Sequence, residues 1–351
     1  METAAQTDSL TPEQRARAER LHRESVVINA LDSTMLRHGD AEYIAKLRQS
    51  GVTVSHHSVA VDERLIETLQ SLQGWWEVYR RFPDDVLIAK GTADIAKAKA
   101  AGKVAIFMGC QDTSPLEGRV FLLDVFRELG VRIMQLTYQR RNFVGDGCGE
   151  KTNCGLSRFG VDVVKRMNDL GIIIDLSHVG IRTTLDAIEV SDHPVTVTHC
   201  TARALCDTIR GKTDEEIKAL ASKGGVIGIA AKSGFLRKGG ENTGTTIEDY
   251  VDHIEYVRRL VGIDHVGIGT DVGDERGYSK ERMAGSHAKY PEIPIVSRAL
   301  DVHLIHPQGL DSPSKLPNIT AALVKRGYSD DDIVKVLGGN FLRVFRAVMG
   351  Q

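Results

Sequence analysis

The chain has 351 residues, 42% of them apolar, with 47 acidic side chains against 45 basic ones and a formal net charge of -2. Such a balance gives no field that would gather nucleic acid or an acidic lipid surface, so binding falls to a pocket and a small-molecule partner. No apolar run approaches the roughly 20 residues that a membrane helix needs, and residues 1–20 are polar where a signal peptide would be basic and then apolar.

Length and apolar content suit a single domain over residues 1–351 with a polar N-terminal extension. The five cysteines, Cys110, Cys148, Cys154, Cys200 and Cys206, are an odd number in a chain too large to need staples, so they read as reduced thiols of a cytoplasmic protein. Cys148 and Cys154 share a Gly-rich loop and would pair only in an oxidising compartment.

Eight short apolar runs then follow one another, each ending on a polar or ionisable residue. They are residues 25–31 before Asp32, 52–55 before His56, 104–110 before Gln111 and 131–137 before Tyr138. The second four are residues 172–177 before His178, 195–198 before His199, 226–231 before Lys232 and 266–270 before Asp271. Each is rich in Val and Ile and precedes a stretch of helical spacing, the pattern of buried parallel strands joined by crossovers. Eight such units predict a (β/α)8 TIM barrel, whose strand ends gather into one pocket.

The crossovers carry their own punctuation. Residues 162–170 form an amphipathic segment closed by Gly171, and Thr213 with Asp214, Glu215 and Glu216 caps a helix over 217–222. Residues 272–318 lose their period in Gly, Pro, Ser and His, which predicts a long loop with short helices near the barrel mouth. Ser329 caps a helix over 333–337, and Gly338-Gly339-Asn340 leads into a C-terminal helix over 341–348.

Two of the strand ends present histidines. His178 and His199 close consecutive strands, about 4.8 Å apart at the backbone, so both imidazoles can converge on one ion. Carboxylate or amide groups at the ends of the first, third and eighth strands, Asp32, Gln111 and Asp271, strengthen that reading.

The stretches Leu129-Gly-Val-Arg-Ile-Met-Gln-Leu-Thr137, Gly155-Leu-Ser-Arg-Phe-Gly160, Leu170-Gly-Ile-Ile-Ile-Asp-Leu-Ser-His178 and Pro194-Val-Thr-Val-Thr-His199 resemble the membrane (renal) dipeptidase family of zinc peptidases. Arg210 followed by Thr213-Asp214, the strand His265-Val-Gly-Ile-Gly-Thr-Asp271 and the tail Gly339-Asn-Phe-Leu-Arg-Val-Phe345 extend the resemblance over most of the chain. It implies an amidohydrolase-type barrel with two zinc ions bridged by a glutamate and a hydroxide. One ion is held by a His-x-Asp pair on the first strand and by the bridging glutamate on the third. The same glutamate and the histidines of the fifth and sixth strands hold the other.

Carried over residue by residue, His178, His199 and Asp32 match, whereas the first-strand histidine is Ala30 and the bridging glutamate is Gln111. A neutral amide offers one weak donor and no charge to offset two dications. The expectation is therefore a divergent member without the standard two-zinc centre. One Zn2+ per chain would be held by His178 and His199, with Gln111 and Asp32 as further ligands. His56 and His57 end the second strand, and only one can face inward, to line the pocket or to replace the missing imidazole.

The resemblance assigns Asp271 as proton shuttle, Arg210 to the substrate carboxylate, and Tyr138 to the substrate carbonyl, where a phenol can donate to an oxyanion. Asn142, Arg140 and Arg141 follow as pocket-lining candidates, and Lys232 as a rim lysine of the kind that often points to water. The expected activity is metal-dependent hydrolysis of a dipeptide-like or other small amide by a homodimer, with ordinary L-dipeptides as poor substrates. The alternative is a metal-free homologue that binds or transforms another C–N bonded small molecule.

Overall fold

The Val- and Ile-rich runs become parallel strands in the computed structural model, which describes residues 10–293 and 301–350. In chain order these are β1 (Ile28–Asp32), β2 (Val54–Ala60), β3 (Val86–Ile88), β4 (Val104–Cys110), β5 (Val131–Gln135), β6 (Ile173–Asp175), β7 (Thr196–Cys200), β8 (Val226–Ile229) and β9 (Val266–Ile268). Eight of them run in the order β1-β2-β4-β5-β6-β7-β8-β9. Asp271 N–H donates to Leu31 O at 3.2 Å and Thr270 N–H to Asn29 Oδ1 at 2.9 Å, which bring the last strand against the first and nearly close the barrel. The (β/α)8 expectation holds.

One strand was not foreseen. β3 pairs with the first residues of β4, from Val86 opposite Val104 to Ile88 opposite Ile106, while β5 takes the last ones. Three residues are too short a run to stand out by period.

Both faces of the strands are apolar because both are covered. Ile28, Ala30, Val54, Ala105, Phe107, Ile133, Ile173 and Val226 cluster with Phe341 and Phe345 of the C-terminal helix Asn340–Met349. The Phe107 and Phe345 ring centroids lie 5.6 Å apart. That helix plugs one end of the barrel, so the site must open at the other. Val27, Ile106, Ile174, Val197, Ile227 and Ile268 instead pack outward against the helices.

The capping signals hold. Helix Arg158–Leu170 ends on Gly171 at φ 62°, and helix Asp214–Ser222 starts from a Thr213–Glu216 capping box. The polar N-terminal extension contains a helix, Pro12–Glu24, opened by a Thr11–Gln14 capping box, with Ala18, Leu21 and His22 buried. It packs against helix Pro317–Lys325. The first nine residues of the extension lie outside the described residues.

The long loop region carries helix Lys280–Lys289 and several single turns, with residues 294–300 outside the described residues. All five cysteines are free. Among the described residues no helix is long and apolar enough to cross a membrane.

Candidate active site

Asp175, the last residue of β6, organises the two histidines. Its Oδ1 accepts from Ser177 N–H at 3.1 Å, Ser177 Oγ at 2.6 Å and Thr198 N–H at 2.8 Å, and its Oδ2 accepts from Thr198 Oγ1 at 2.6 Å. These bonds stitch the end of β6 to β7 at the level where the imidazoles leave the strands. His178 Nε2 and His199 Nε2 then stand 2.8 Å apart.

The hydrogen-bond chain fixes one tautomer. Thr198 spends its proton on Asp175, so its oxygen receives the Nδ1–H of His199 at 2.8 Å and His199 Nε2 is a bare lone pair. At 2.8 Å the two rings are joined by a hydrogen bond, in which His178 Nε2–H donates to that lone pair. Burial, and next the Arg210 cation, hold both imidazoles well below the ordinary histidine range, so both are neutral at pH 7.

Arg210 is 2% exposed. Its Nη1 donates to Ser177 O at 2.6 Å and its Nη2 to His199 O at 3.2 Å, so the guanidinium braces the backbone on which the histidines sit. The Tyr138 ring stacks on His178 at 4.1 Å between centroids and also lines a cavity of about 340 Å3 at the barrel mouth. Burial, and next the Asp271 carboxylate, raise its phenol above the ordinary range, so at neutral pH it remains a hydrogen-bond donor.

Gln111, Lys232 and Asp271 line the same cavity. Asp271 sits at φ 54°, a left-handed conformation uncommon for a residue with a side chain. Besides the bond from its N–H to Leu31 O, its own carbonyl accepts from Ser33 Oγ at 3.0 Å. Such strain persists where the surroundings over-determine it, and it turns the carboxylate to within 3.6 Å of Lys232 Nζ.

Asp32 and Asn142, by contrast, do not line this cavity, and Gln111 is engaged within its wall. Asp32 is completely buried, with Oδ1 accepting from Thr34 N–H at 2.8 Å and Oδ2 from Tyr43 OH at 3.1 Å. Burial pushes its carboxyl up to about 6. The reason is a register shift between Asn29 and Asp32 that sets Asp32 opposite His57 and toward the helix layer. Gln111 Nε2 donates to Ser58 Oγ at 2.9 Å. Asn142 anchors its loop, with Nδ2 donating to Asp112, Thr113 and Leu136 O and Oδ1 accepting from Val144 N–H at 2.8 Å.

Of the adjacent histidines, His56 faces into the barrel. Its Nδ1 donates to Ala30 O at 2.6 Å and its buried Nε2 has no partner among the described residues. A Cβ at Gly109 would lie 2.2 Å from that nitrogen, so the glycine is what admits the ring. His57 faces outward, its centroid 3.7 Å from that of Trp75.

Three participants escaped the sequence reading. Asp175 looked like an ordinary strand residue, although four donors converge on it. Tyr278 and His306 fall in the region without period. Lys232 Nζ reaches Tyr278 OH at 3.4 Å, and the His306 ring lies 4.8 Å from that of Tyr278. No pattern in residues 272–318 signals that Tyr278 folds back to line the cavity with His306 packed against it.

The two imidazoles have the donor chemistry of a zinc site, being neutral, buried and convergent. The remainder of a two-ion centre does not fit, because Ala30 has no donor, Gln111 has no charge and Asp32 is engaged away from the pair. Among the described residues no three His, Cys, Asp or Glu side chains gather where an ion could sit.

A model of the family described as Membrane dipeptidase (Peptidase family M19) matches residues 15–287 and 296–350. The chain is similar to Dipeptidase tcpJ of Claviceps purpurea, 30% identical over 284 residues that cover 80% of this chain and 60% of that protein. It is also similar to Dipeptidase verJ of Clonostachys rogersoniana, 27% identical over 338 residues, 92% of this chain and 79% of that one. The match thus spans about three fifths of the length of tcpJ and more of verJ.

Among solved structures, an amidohydrolase from Pseudomonas aeruginosa superposes with a TM-score of 0.86 at 36% identity, covering 95% of this chain and 99% of that one. A metallo peptidase from Rhodobacter sphaeroides, liganded with a phosphinate mimic of L-Ala-D-Ala, superposes with a TM-score of 0.78 over 93% of this chain and all of that one. At 19% identity that likeness bears on the fold alone.

Proposed function

The chain belongs to the membrane dipeptidase family, peptidase family M19, and from that membership we propose that it hydrolyses the amide of a dipeptide-like or other small substrate with a single zinc ion at His178 and His199. The observation that carries the reading is the 2.8 Å approach of two neutral Nε2 atoms under Tyr138, whose ring also borders the Asp271 cavity. A cavity of about 340 Å3 is at the small end of ligand sites, the size for a dipeptide rather than a polymer.

When bound, zinc supplies a Lewis acid that polarises the amide carbonyl. Asp271 accepts a proton from the attacking water and returns it to the leaving nitrogen, which needs a carboxylate within reach of both. The Tyr138 phenol donates to the oxygen that gains charge. Asp175, through Thr198, keeps the His199 lone pair turned toward the centre. Arg210 holds the backbone under both histidines. In this proposal Asp32 and Asn142 support the scaffold, and Gln111 is a wall of the cavity.

The test is hydrolysis of a panel of L- and D-terminal dipeptides and N-acyl amino acids by zinc-supplemented protein. We expect turnover of at least one, with ordinary L-dipeptides slow, and a fall of about 10^2-fold or more in kcat for Asp271→Asn. Absence of turnover across the panel, or full activity in the variant, would refute the proposal.

One observation favours a second reading. Because no third His, Cys, Asp or Glu joins the pair among the described residues, a metal-free protein that binds or transforms another C–N bonded molecule remains the competitor. Zinc content separates the two.

A further inference from the structure

The cavity holds a cation that neither the family resemblance nor the histidine pair explains. Lys232 follows β8 with its side chain 7% exposed, and its nearest carboxylate oxygen, Asp271 Oδ2, is 3.6 Å away. Among the described residues its hydrogen-bond partner is Tyr278 OH, 3.4 Å away. Both distances exceed those of an ordinary charged hydrogen bond, about 2.7–2.9 Å. An ammonium carries three donors, and one so nearly buried is costly without a close acceptor. The contrast is Lys212, its side chain 3% exposed, which has Glu216 at 2.9 Å together with Val179 O and Thr184 Oγ1.

A second cation lines the same cavity. Arg282 Nη1 donates to Gly277 O at 2.9 Å, and among the described residues the guanidinium forms no ion pair. Lys232 and Arg282 each stand 5.2 Å from the centre of the Tyr278 ring. Glu63, the cavity's other carboxylate, spends its Oε2 on the N–H groups of Val61 and Asp62. His306 is neutral, since burial and next Lys232 hold its imidazole well below the ordinary range. Lys232 and Arg282 thus share the Tyr278 ring, with Asp271 as the carboxylate paired to Lys232 and Glu63 held by the N–H groups of Val61 and Asp62. Arg210, the family's candidate for an anionic ligand, is turned inward on Ser177 O and His199 O and does not line the cavity.

We infer that Lys232, assisted by Arg282, receives the free carboxylate of the substrate. The inference deepens the hydrolase reading and rests on it. In a dipeptide the terminal carboxyl carbon is joined through one Cα to the leaving nitrogen. A residue that protonates that nitrogen and one that holds the carboxylate must then be neighbours, as Asp271 and Lys232 are. Seating the carboxylate on Lys232 gives the ammonium its missing short acceptor and sets the scissile bond beside Asp271. The ligand class is a small amide with a free α-carboxylate.

The experiment compares L-alanyl-D-alanine with its C-terminal carboxamide, titrated calorimetrically into the full-length, zinc-supplemented protein and into Lys232→Met, Lys232→Arg and Arg282→Met. Circular dichroism confirms that each variant is folded. Wild type should bind the acid at least tenfold more tightly than the amide. Lys232→Met should erase that ratio, Lys232→Arg should restore part of it, and Arg282→Met should reduce it. A general loosening of the site would weaken both ligands and leave the ratio intact.

Survival of the acid preference in Lys232→Met overturns the inference. So does a wild type that shows no preference, or that binds neither ligand. Hydrolysis of the acid, followed in parallel, keeps the two readings apart. Preference through Lys232 without turnover of this or any panel substrate sinks the hydrolase and leaves the carboxylate site, whereas turnover without preference does the reverse.

Discussion

His57→Phe converts one buried titratable ring into an apolar one, and its effect on acid stability follows from the structure. The imidazole is completely buried among Tyr43, Trp75 and Tyr79. Burial, and next the charge of His56, lower it from 6.5 to about 3. A depressed folded-state value means that below pH 6.5 the unfolded chain takes up a proton the folded chain refuses. Stability is then lost as pH falls from 6.5 toward 3, at about 1.4 kcal/mol per pH unit for this group.

Between about pH 7 and pH 5 the linkage integrates to about 2 kcal/mol. The other buried histidines lose stability in the same direction, and Asp32, raised to about 6, acts with the opposite sign. Both proteins share these groups, so the difference isolates the His57 ring together with its coupling to His56. Urea unfolding of wild type and His57→Phe at the two pH values measures that difference. Wild type should lose about 2 kcal/mol more than the variant, whatever their relative stability at pH 7. Equal losses would mean that the ring titrates normally and is not caged as described.

Two further changes probe the site. Arg210→Met strands the carbonyls of Ser177 and His199, at about 1–3 kcal/mol each, so the urea midpoint should fall markedly. A variant of wild-type stability whose only defect is a raised KM would instead show that the guanidinium faces substrate. Gln111→Glu restores a carboxylate at the family's bridging position and should raise the zinc content at saturation, read by elemental analysis. An unchanged content would show that Ala30, rather than the amide, limits the second ion.

The barrel was legible because parallel strands covered on both faces must be Val- and Ile-rich, and eight such runs recur at crossover spacing. β3 was not, since three residues carry no period, nor was helix Pro12–Glu24, whose apolar face is narrow within a charged segment. The convergence of His178 and His199 could be read from their places at consecutive strand ends. The orientation of Asp32 could not. Alternation along β1 puts Ala30 and Asp32 on one face, but the bulge before Asp32 breaks the count and turns the carboxylate to Tyr43.

Lys232 shows the same limit for a different reason. A lysine at a barrel rim ordinarily reaches water, and only the return of Tyr278 and His306 over it makes it a buried cation. That return is a tertiary fact carried by a segment with no periodic signal. Arg210 matched the family motif by sequence, yet its task depends on where the guanidinium turns, which adjacent residues do not encode.

The most direct test of the histidine pair is zinc per chain, measured by elemental analysis on zinc-saturated, desalted wild type and His178→Ala. The account predicts about one zinc per chain in wild type and almost none in the variant. Two zinc ions per chain, none, or an undiminished content in His178→Ala would contradict it.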